Sequence, residues 1–366
     1  MMELDLLRTE TEDDLRTTVR HLLARRCEPS AVVAMYDGDR SVVDGLWKAL
    51  SVDLGLGGLL VSEDHGGAGA GAREAAIVIE ELGRAVAPVP FLTSAVVAVE
   101  LLNQADDAVL LQGLAAGERT AALVVPLSTG PATSIPTVDV DASGLLSGTI
   151  TSVAGAIEAD LLLVPVSAGE GLAIHAVAAG DARIDPIISL DMTRQIANVR
   201  FDRSSGVLVL SDAEPAVRRA LTVAAALLAS EQVGVAKWCL RTTVDYLGVR
   251  RQFGRPVGGF QAIKHRVADL YSGVEVASAV AGYAAAAISA NDSDSAIAAA
   301  VAQAYCSDLA VLAAEEAVQL HAGIGMTWEH PAHLYLKRAW VLDTHFGSTD
   351  SHADRLADLL ASTTQP

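Results

Sequence analysis

Apolar residues recur with helical spacing over the first third of the chain. In residues 11–26, leucine and valine return every three or four positions, and acidic residues stand at the start of the segment. Residues 71–86 show the same spacing, and Gly83 is the residue expected to close that helix. Two shorter apolar segments follow before residue 118. The pattern predicts an N-terminal helical domain over residues 1–118.

The pattern changes between about residues 120 and 210. Short runs rich in valine, isoleucine, leucine and threonine are separated by glycine, proline and serine, and the helical period is lost. Six runs predict strands, at residues 121–127, 144–153, 159–167, 171–179, 196–202 and 206–211. Residues 119–210 therefore predict a small middle β domain, a barrel or sandwich, between two helical parts.

Helical periodicity returns over residues 211–366. Ser211 is the expected N-cap, with a glutamate three residues later. Alanine-rich residues 257–290 and 291–323 predict two long helices, the second ended by Gly323, and two shorter helices follow. The expected fold is mostly α with a small β insert: an N-terminal helical domain, the β domain and a C-terminal four-helix bundle.

Charge and cysteine usage narrow the classes of function. The chain has 45 acidic and 26 basic residues, a formal net charge of −19, which argues against nucleic acid or an anionic membrane as a partner. The three cysteines are far apart and match neither a metal motif nor a disulfide framework. The most apolar stretch, residues 85–102, is interrupted by Pro88 and Pro90, and the start of the chain is charged. We expect a cytoplasmic protein with no metal site.

Four segments, in this order, carry a family resemblance. They are "VSEDHGGAGAGAREAAIVIEELGRA" (61–85), "GLLSGTITSVAGAIEADLLLVPV" (144–166), "RRQFGRPVGGFQAIKHRVADL" (250–270) and "QLHAGIGMTWEHPAHLYLKRA" (319–339). The third is close to a signature of Arg, any residue, Gln or Ala, Phe, Gly and then Phe-Gln. The sequence resembles the acyl-CoA dehydrogenase family over nearly its whole length, most strongly in the C-terminal part.

The resemblance implies FAD bound across a subunit interface. In this family the bundle of one subunit reaches the adenine and pyrophosphate end of a flavin that its neighbour holds. Arg250 takes the position of the family's arginine, and a fixed cation with several donors suits a pyrophosphate. Phe253 would pack on the cofactor and Gln261 would hydrogen-bond to it. Gln319 and Gly323 match the second FAD segment, where a small residue lets the backbone approach.

Two details of these motifs bear on that implication. Ala322 replaces the first of the two glycines that the family usually has in the second segment. Arg250 and Arg251 would, taken alone, be read as the solvated end of a helix, favoured there by the helix dipole. The register of Phe253 and Gln261 with the family signature is what favours contact with a cofactor.

The resemblance also shows what is missing. Members of the family remove two hydrogens from the α and β carbons of an acyl-CoA: a carboxylate takes the α proton and the β hydride goes to flavin N5. The usual position of that glutamate falls at Phe346, and the position that a minority of members use falls at Ala224. Neither side chain accepts a proton, so no catalytic residue is assigned. Glu231 and Asp343 lie near these positions and could be displaced bases or ordinary structural acids.

The middle domain departs from the family as well. Members normally carry "LTEPxAGSD" and a Trp-Ile-Thr run that contact flavin and substrate. Here the corresponding residues are "LVVPLSTGPAT" (123–133) and "TITSVAGA" (149–156), and the usual "RDA" after the glycine segment is "KRA" (337–339). We therefore expect that this chain does not hold an isoalloxazine ring against its own β domain.

Three functions remain open from the sequence. The first is the non-catalytic subunit of an α2β2 acyl-CoA dehydrogenase, in which a paralogue supplies the base, the ring contacts and the acyl-CoA pocket. By analogy, such a complex acts on bulky substrates such as steroid side-chain thioesters and passes electrons to an electron-transfer flavoprotein. The second is a self-sufficient homo-oligomeric enzyme with a displaced base. The third is a flavin-free scaffold or acyl-CoA-binding protein.

Two other motifs are weaker. "GAGAGA" at residues 67–72 fits a dinucleotide-binding pattern, but no strand precedes it and helices follow, so we interpret it as a turn. Glu329, His330 and His333 suggest metal ligands, but Pro331 intervenes and no further ligand is near in sequence. We interpret that segment as a surface loop.

Overall fold

The computed structural model describes residue 4 and residues 6–105, 107–169 and 171–363. Its first part is helical, as predicted. The first helix, α1, begins with a capping box in which Thr9 and Glu12 exchange side-chain and backbone hydrogen bonds. The helices of this part are α1 (Glu10–Arg26), α2 (Pro29–Ala34), α3 (Ser41–Lys48), α4 (Ala72–Ala85), α5 (Val99–Ala105) and α6 (Ala108–Ala115), with a π-helical segment, Phe91–Ala98, leading into α5.

Gly83 does not end its helix, which corrects the expectation from the sequence. The helix α4 continues to Ala85. A Cβ on Gly83 would lie 2.3 Å from the backbone oxygen of Glu231, so the glycine permits a close approach to the C-terminal part. The contact is matched from the other side, where a Cβ on Gly234 would lie 2.0 Å from the backbone oxygen of Glu80. Backbone contact with another helix, and not termination, accounts for Gly83.

The middle part is a sandwich of two four-stranded sheets. One sheet has the order β1-β4-β5-β8 and the other the order β2-β3-β7-β6. Apolar residues of both sheets, including Val164 and Phe201, form a separate buried core between them. All six predicted strands are present, and β2 and β6 are additional. The strands are β1 (Ala121–Leu123), β2 (Asp139–Val140), β3 (Leu145–Ala154), β4 (Leu161–Ala168), β5 (Gly171–Ala178), β6 (Arg183–Ile187), β7 (Ile196–Ser205) and β8 (Val207–Leu210).

The C-terminal part is a bundle built around one central helix. The helices are α7 (Glu214–Val249), α8 (Gln261–Ser289), α9 (Ser295–His321), α10 (Ala332–Leu342) and α11 (Thr349–Thr363). The central helix α7 packs against α4, α8, α9 and α10. It begins at Glu214 with Ala213 as its N-cap, so the predicted cap at Ser211 is wrong.

By length and composition alone, three helical segments could cross a membrane: Glu214–Val249, Gln261–Ser289 and Ser295–Met326. The first is mostly buried inside the protein, while about half of the apolar stretch of each of the other two is buried. These segments pack on one another as the bundle described above.

Candidate functional site

A short hairpin links α7 to α8 and carries the first of the two segments that the sequence predicts to contact a cofactor. Its strands, β9 (Arg251–Gln252) and β10 (Arg255–Pro256), are joined by Phe253 and Gly254. Both turn residues have positive φ, +49° and +79°, as a two-residue type I′ turn requires. A bulky residue in this conformation is strained, yet Phe253 is 91% exposed. The fold places an aromatic side chain at the tip of a hairpin without covering it.

Ring contacts stiffen this hairpin. The guanidinium of Arg255 lies 3.9 Å from the centre of the Phe260 ring, a cation–π contact. Phe260 in turn meets the ring of Phe253 edge to face, with 6.2 Å between centres. Phe253 therefore packs against Phe260 on one side, and the rest of its side chain is exposed to solvent.

The second cofactor segment follows the end of α9. Gln319 lies in the last turn of that helix and is exposed. Gly323 has no positive φ, and a Cβ added to it would meet nothing within 4 Å. Neither the backbone conformation nor the packing of this chain requires glycine there.

Ala322 is strained, and this gives a test. Its φ of 54° and ψ of −137° lie in a region that only glycine adopts readily. We expect Ala322→Gly to raise the free energy of unfolding by about 1 kcal/mol, because glycine adopts this conformation without the Cβ clash. Ala279→Gly, at an exposed site inside α8, should lower it by about 1 kcal/mol. Urea denaturation of both variants checks the sign; a loss for Ala322→Gly would contradict the argument.

The two cofactor segments lie side by side. Tyr246, one turn before Arg250 on α7, stacks on His321 at the end of α9, with 4.6 Å between ring centres. Arg250 follows α7 directly, and its side chain is exposed, with no ion-pair partner among the described residues. The five residues that the sequence predicted to contact FAD all have exposed side chains or backbone: Arg250, Phe253, Gln261, Gln319 and Gly323.

An apolar groove of about 860 Å³ lies next to the hairpin, between α7 and α8. Its walls include Leu240, Val244, Ile263 and Val267, and none of the five predicted cofactor residues lines it. The predicted contacts therefore face outward and do not converge on this groove.

The position predicted for the family's base is closed. Phe346 is only 4% exposed and lies where the N-terminal part, the sandwich and α7 meet. The cavity left around it measures about 20 Å³, room for about one water molecule. A neighbouring cavity that shares Thr93 with it is equally small. Ala224, the alternative base position, is fully buried in α7.

Glu231 belongs to a buried ion cluster, defined here as Asp191, Arg194, Glu231, Arg338 and His345. One oxygen of Glu231 accepts from Arg338 Nη1 at 2.5 Å and the other from Arg194 Nη2 at 2.6 Å. Arg338 Nε also donates to Asp191 at 2.5 Å, and Arg194 contacts His345 Nδ1 at 3.3 Å. The cluster joins the loop between β6 and β7 to α7 and α10.

The electrostatics of this cluster suit a structural role. Burial alone would raise the pKa of Glu231, but the charges and hydrogen bonds of Arg194 and Arg338 hold it below its ordinary value. Burial alone would lower the pKa of Arg338, and Asp191 and Glu231 raise it instead. A carboxylate with both oxygens engaged and a lowered pKa is a poor general base. Arg338 stands where the family motif usually has aspartate, so the sign of the charge is reversed at this position.

Asp343, the other displaced candidate, is also engaged. Its Oδ1 accepts from the hydroxyl of Ser307 and from that of Thr349, each at 2.6 Å. These bonds tie the end of α10 to α9 and to the start of α11. Asp343 therefore has the environment of a helix-end acid.

His345 makes the stability of the fold depend on pH. Burial, and then the charges of Arg194 and Arg338, hold its pKa well below the ordinary value of 6.5. The unfolded chain then binds a proton that the folded chain does not, so stability falls as pH drops below about 6.5, by about 1.4 kcal/mol per pH unit. We expect His345→Asn, which keeps an acceptor near the Nδ1 position, to lose less stability than the wild type between about pH 7.5 and about pH 5.5. Urea denaturation at both pH values checks this, and equal losses would contradict it.

Three contributions were not predicted from the sequence. They are the positive φ of Phe253, the stacking of Tyr246 on His321 and the Arg255–Phe260 contact. The two-residue turn between short polar runs is the only local signal for the hairpin. The Tyr246–His321 contact joins two residues 75 positions apart along the chain, so no local sequence pattern indicates it.

The two weaker motifs can now be placed in the fold. In the described part of the chain, no group of three or more His, Cys, Asp or Glu side chains could hold a metal ion. His330 packs on His321 with 4.3 Å between ring centres, and His333 packs on Trp328. Residues 67–71 lie in the loop before α4 and Ala72 is the first residue of that helix, and no described strand precedes them.

The fold and the motifs agree with comparisons to known proteins. The model of the acyl-CoA dehydrogenase N-terminal domain matches residues 9–118, and that of the acyl-CoA dehydrogenase C-terminal domain matches residues 215–361. The chain belongs to the acyl-CoA dehydrogenase family, a family of flavin-dependent oxidoreductases.

Among its relatives is the acyl-CoA dehydrogenase IpdE2 of Mycobacterium tuberculosis, 35% identical over 90% of this chain and 91% of that protein. Two solved structures are similar over almost their full lengths. The ChsE4–ChsE5 complex from Mycobacterium tuberculosis has a chain 26% identical, with a TM-score of 0.87 over 99% of this chain and 100% of that one. A variant of the Tcur3481–Tcur3483 steroid ACAD has a chain 27% identical, with a TM-score of 0.84 over 97% and 98%.

Proposed function

We propose that this chain is the non-catalytic subunit of a hetero-oligomeric acyl-CoA dehydrogenase. It completes the FAD site of a catalytic paralogue, and the two form an α2β2 complex. The observation that carries the proposal is the contrast between the two contributions that a subunit of this family makes, one to the FAD of its neighbour and one to its own. The end that would contact the adenine and pyrophosphate is open to solvent, and the end that would hold the reacting groups is filled by protein.

The open end fits the cofactor. Arg250 would hold the pyrophosphate, Phe253 would pack on the cofactor, and Gln261 and Gln319 would hydrogen-bond to it. The lack of any internal reason for glycine at position 323 supports close backbone contact with an external group. The strained, exposed Phe253 supports the same conclusion, because such strain persists where it serves a contact.

The other end does not fit the flavin ring. Residues 123–133, which replace the family's flavin-contacting motif, are hydrogen-bonded to the loop that carries Phe346: the amide of Phe346 donates to the Leu127 carbonyl at 2.8 Å. Neither adjoining cavity has room for an isoalloxazine. When bound, FAD accepts the β hydride of the substrate, and in this proposal the ring and the base belong to the partner subunit.

The relatives support a complex and a class of substrate. Two similar structures are of paired proteins, ChsE4–ChsE5 and Tcur3481–Tcur3483, and the second is a steroid ACAD. We extend this to propose a steroid or other bulky acyl-CoA thioester as substrate, a cytoplasmic location and an electron-transfer flavoprotein as electron acceptor. A displaced base is not favoured, because Glu231 and Asp343 both make structural contacts.

The test is to count flavins. The chain is purified alone and after co-expression with a catalytic acyl-CoA dehydrogenase paralogue, and FAD is measured by absorbance against protein concentration. We expect a colourless preparation alone and one FAD for every two chains in the complex. A yellow preparation of the chain alone that reduces a dye with acyl-CoA would instead establish the self-sufficient enzyme. A colourless complex would leave the scaffold function.

A further inference from the structure

The groove between α7 and α8 has apolar walls that the chain leaves open to solvent. It measures about 860 Å³. Leu247 and Val274 are buried at its base, whereas Val244 is 43% exposed and Tyr271 is 56% exposed. The other apolar side chains of the lining are Leu240, Pro256, Ile263, Val267 and Ala268. A concave apolar surface of this size is typical of a site that binds a hydrocarbon group.

Both ends of the groove are bounded by other parts of the chain. At the hairpin end, a Cβ on Gly258 would lie 3.1 Å from the backbone oxygen of Leu247. At the opposite end, a Cβ on Gly234 would lie 2.8 Å from the backbone nitrogen of Arg84, which sets the end of α4 against α7. The α7 wall between them, residues 237–248, is about 16 Å long at the rise of an α-helix. A groove that is closed at both ends favours a small molecule over a long protein helix.

The charge in the groove is opposite to the charge of the chain as a whole. The chain has a formal net charge of −19. Among the described residues that line the groove, one is acidic, Glu275, and four are basic: Arg84, Lys237, Arg241 and Lys264. A local excess of basic side chains in an acidic protein favours an anionic ligand.

Arg84 is available to such a ligand. Lys237 pairs with Glu80 at 2.9 Å, and Arg241 pairs with Asp245 at 3.0 Å. Arg84 is half-buried, and its guanidinium has no ion-pair partner in the part of the chain that the structure describes. The planar donors of a guanidinium match the two oxygens of a carboxylate. An unpaired arginine beside apolar walls therefore suits a carboxylate that carries a hydrocarbon chain.

We propose that this groove binds an amphipathic carboxylate, of which a free fatty acid is the simplest case. The carboxylate pairs with Arg84 at the α4 end, and the hydrocarbon chain lies along Val244 and Val267 towards the hairpin. None of the residues predicted to contact FAD lines the groove, and neither does Phe346. The site is therefore separate from the proposed flavin contacts and does not depend on them.

Calorimetric titration of the full chain with decanoate, below its micelle concentration, tests the proposal. The wild type should bind decanoate at least about ten-fold more tightly than decanol, because the alcohol lacks the charge that pairs with Arg84. Arg84→Gln should lose about ten- to a hundred-fold in affinity for decanoate and keep its affinity for decanol. Arg183→Gln, at an exposed arginine of the sandwich, is the control and should bind both compounds as the wild type does.

A second variant tests the apolar wall. Val244→Glu should weaken the binding of decanoate and of decanol by about ten-fold or more, because a charged side chain then stands where the hydrocarbon is buried. Val276→Glu is the matched control. Val276 is 47% exposed on α8, close to the exposure of Val244, but it does not line the groove.

Three results would overturn the proposal in the isolated chain: decanoate binds no more tightly than decanol, Arg84→Gln binds decanoate as the wild type does, or Val244→Glu binds as Val276→Glu does. A fourth is loss of decanoate binding in the complex with the catalytic paralogue, because the groove is then a surface that the partner covers. Flavin content is measured separately, so failure here is distinguishable from failure of the proposed function.

Discussion

Replacement of Arg338 by methionine is expected to lower the free energy of unfolding by about 3–5 kcal/mol, because it leaves buried carboxylates without their cation. Arg338 is 1% exposed and contacts both Asp191 and Glu231. Arg194 still pairs with Glu231 in the variant, but Asp191 loses its arginine. Urea denaturation, followed by the midpoint and slope of the first transition, measures the effect.

Arg183→Met is the control for this variant. Arg183 also pairs with an aspartate, Asp185, but its side chain is 72% exposed. Exposed pairs contribute about 0–1 kcal/mol, so the control should remain close to the wild type. Addition of Asp191→Asn to Arg338→Met should restore part of the loss, since the uncompensated charge disappears while Thr193 keeps its hydrogen-bond acceptor. If Arg338→Met is no less stable than Arg183→Met, the ion cluster does not stabilise the fold as described.

Arg250→Ala is expected to weaken FAD binding by the complex with the catalytic paralogue by about ten- to a hundred-fold, which corresponds to about 1.5–3 kcal/mol for hydrogen bonds to a charged group. The guanidinium has no ion-pair partner among the described residues, so its loss should leave the stability of the chain alone nearly unchanged. Titration of flavin-depleted complex with FAD measures the affinity. Arg183→Ala, in the sandwich, serves as the control and should bind FAD as the wild type does.

Gly323→Ala probes the same contact from the backbone side. The added Cβ meets nothing in this chain, so the isolated subunit should be as stable as the wild type. In the complex, FAD affinity should fall, because the methyl group occupies the space that the cofactor approaches. Normal FAD affinity in both Arg250→Ala and Gly323→Ala would mean that these residues form a solvated helix end, and the proposed shared site would be wrong.

Much of the fold follows from local pattern. The helices α1, α4, α8 and α9 and six strands of the sandwich lie where periodicity placed them, because spacing of apolar residues along a helix or strand is a local property. The expectations that failed concern element ends: Gly83 lies inside α4, and α7 starts three residues after Ser211. At Gly83, the close approach of the Glu231 backbone from a distant part of the chain, and not helix termination, accounts for the glycine.

The candidate site, like the fold, was predictable from local pattern only in part. The contiguous motifs around Phe253 and Gln319 identified the surface that would meet the cofactor. The sequence did not show that Glu231 forms a buried ion pair. Its partner Arg338 lies 107 positions away along the chain, and only the packing of α7 against α10 brings the two side chains together. A glutamate near a family base position is compatible with a role as a base and with a role in an ion pair until its partners are known.

By itself, the sequence indicated the family and the order of helical and β segments, and it predicted the residues that contact the cofactor and the absence of a catalytic glutamate at position 346. The tertiary structure alone decided that Phe346 fills the junction of three parts of the protein, that Glu231 is neutralised by two arginines, and that Tyr246 and His321 set the two cofactor segments side by side. The physical reason is that these contacts join residues far apart along the chain. Burial and pairing depend on how whole elements pack, which no local pattern of residues records.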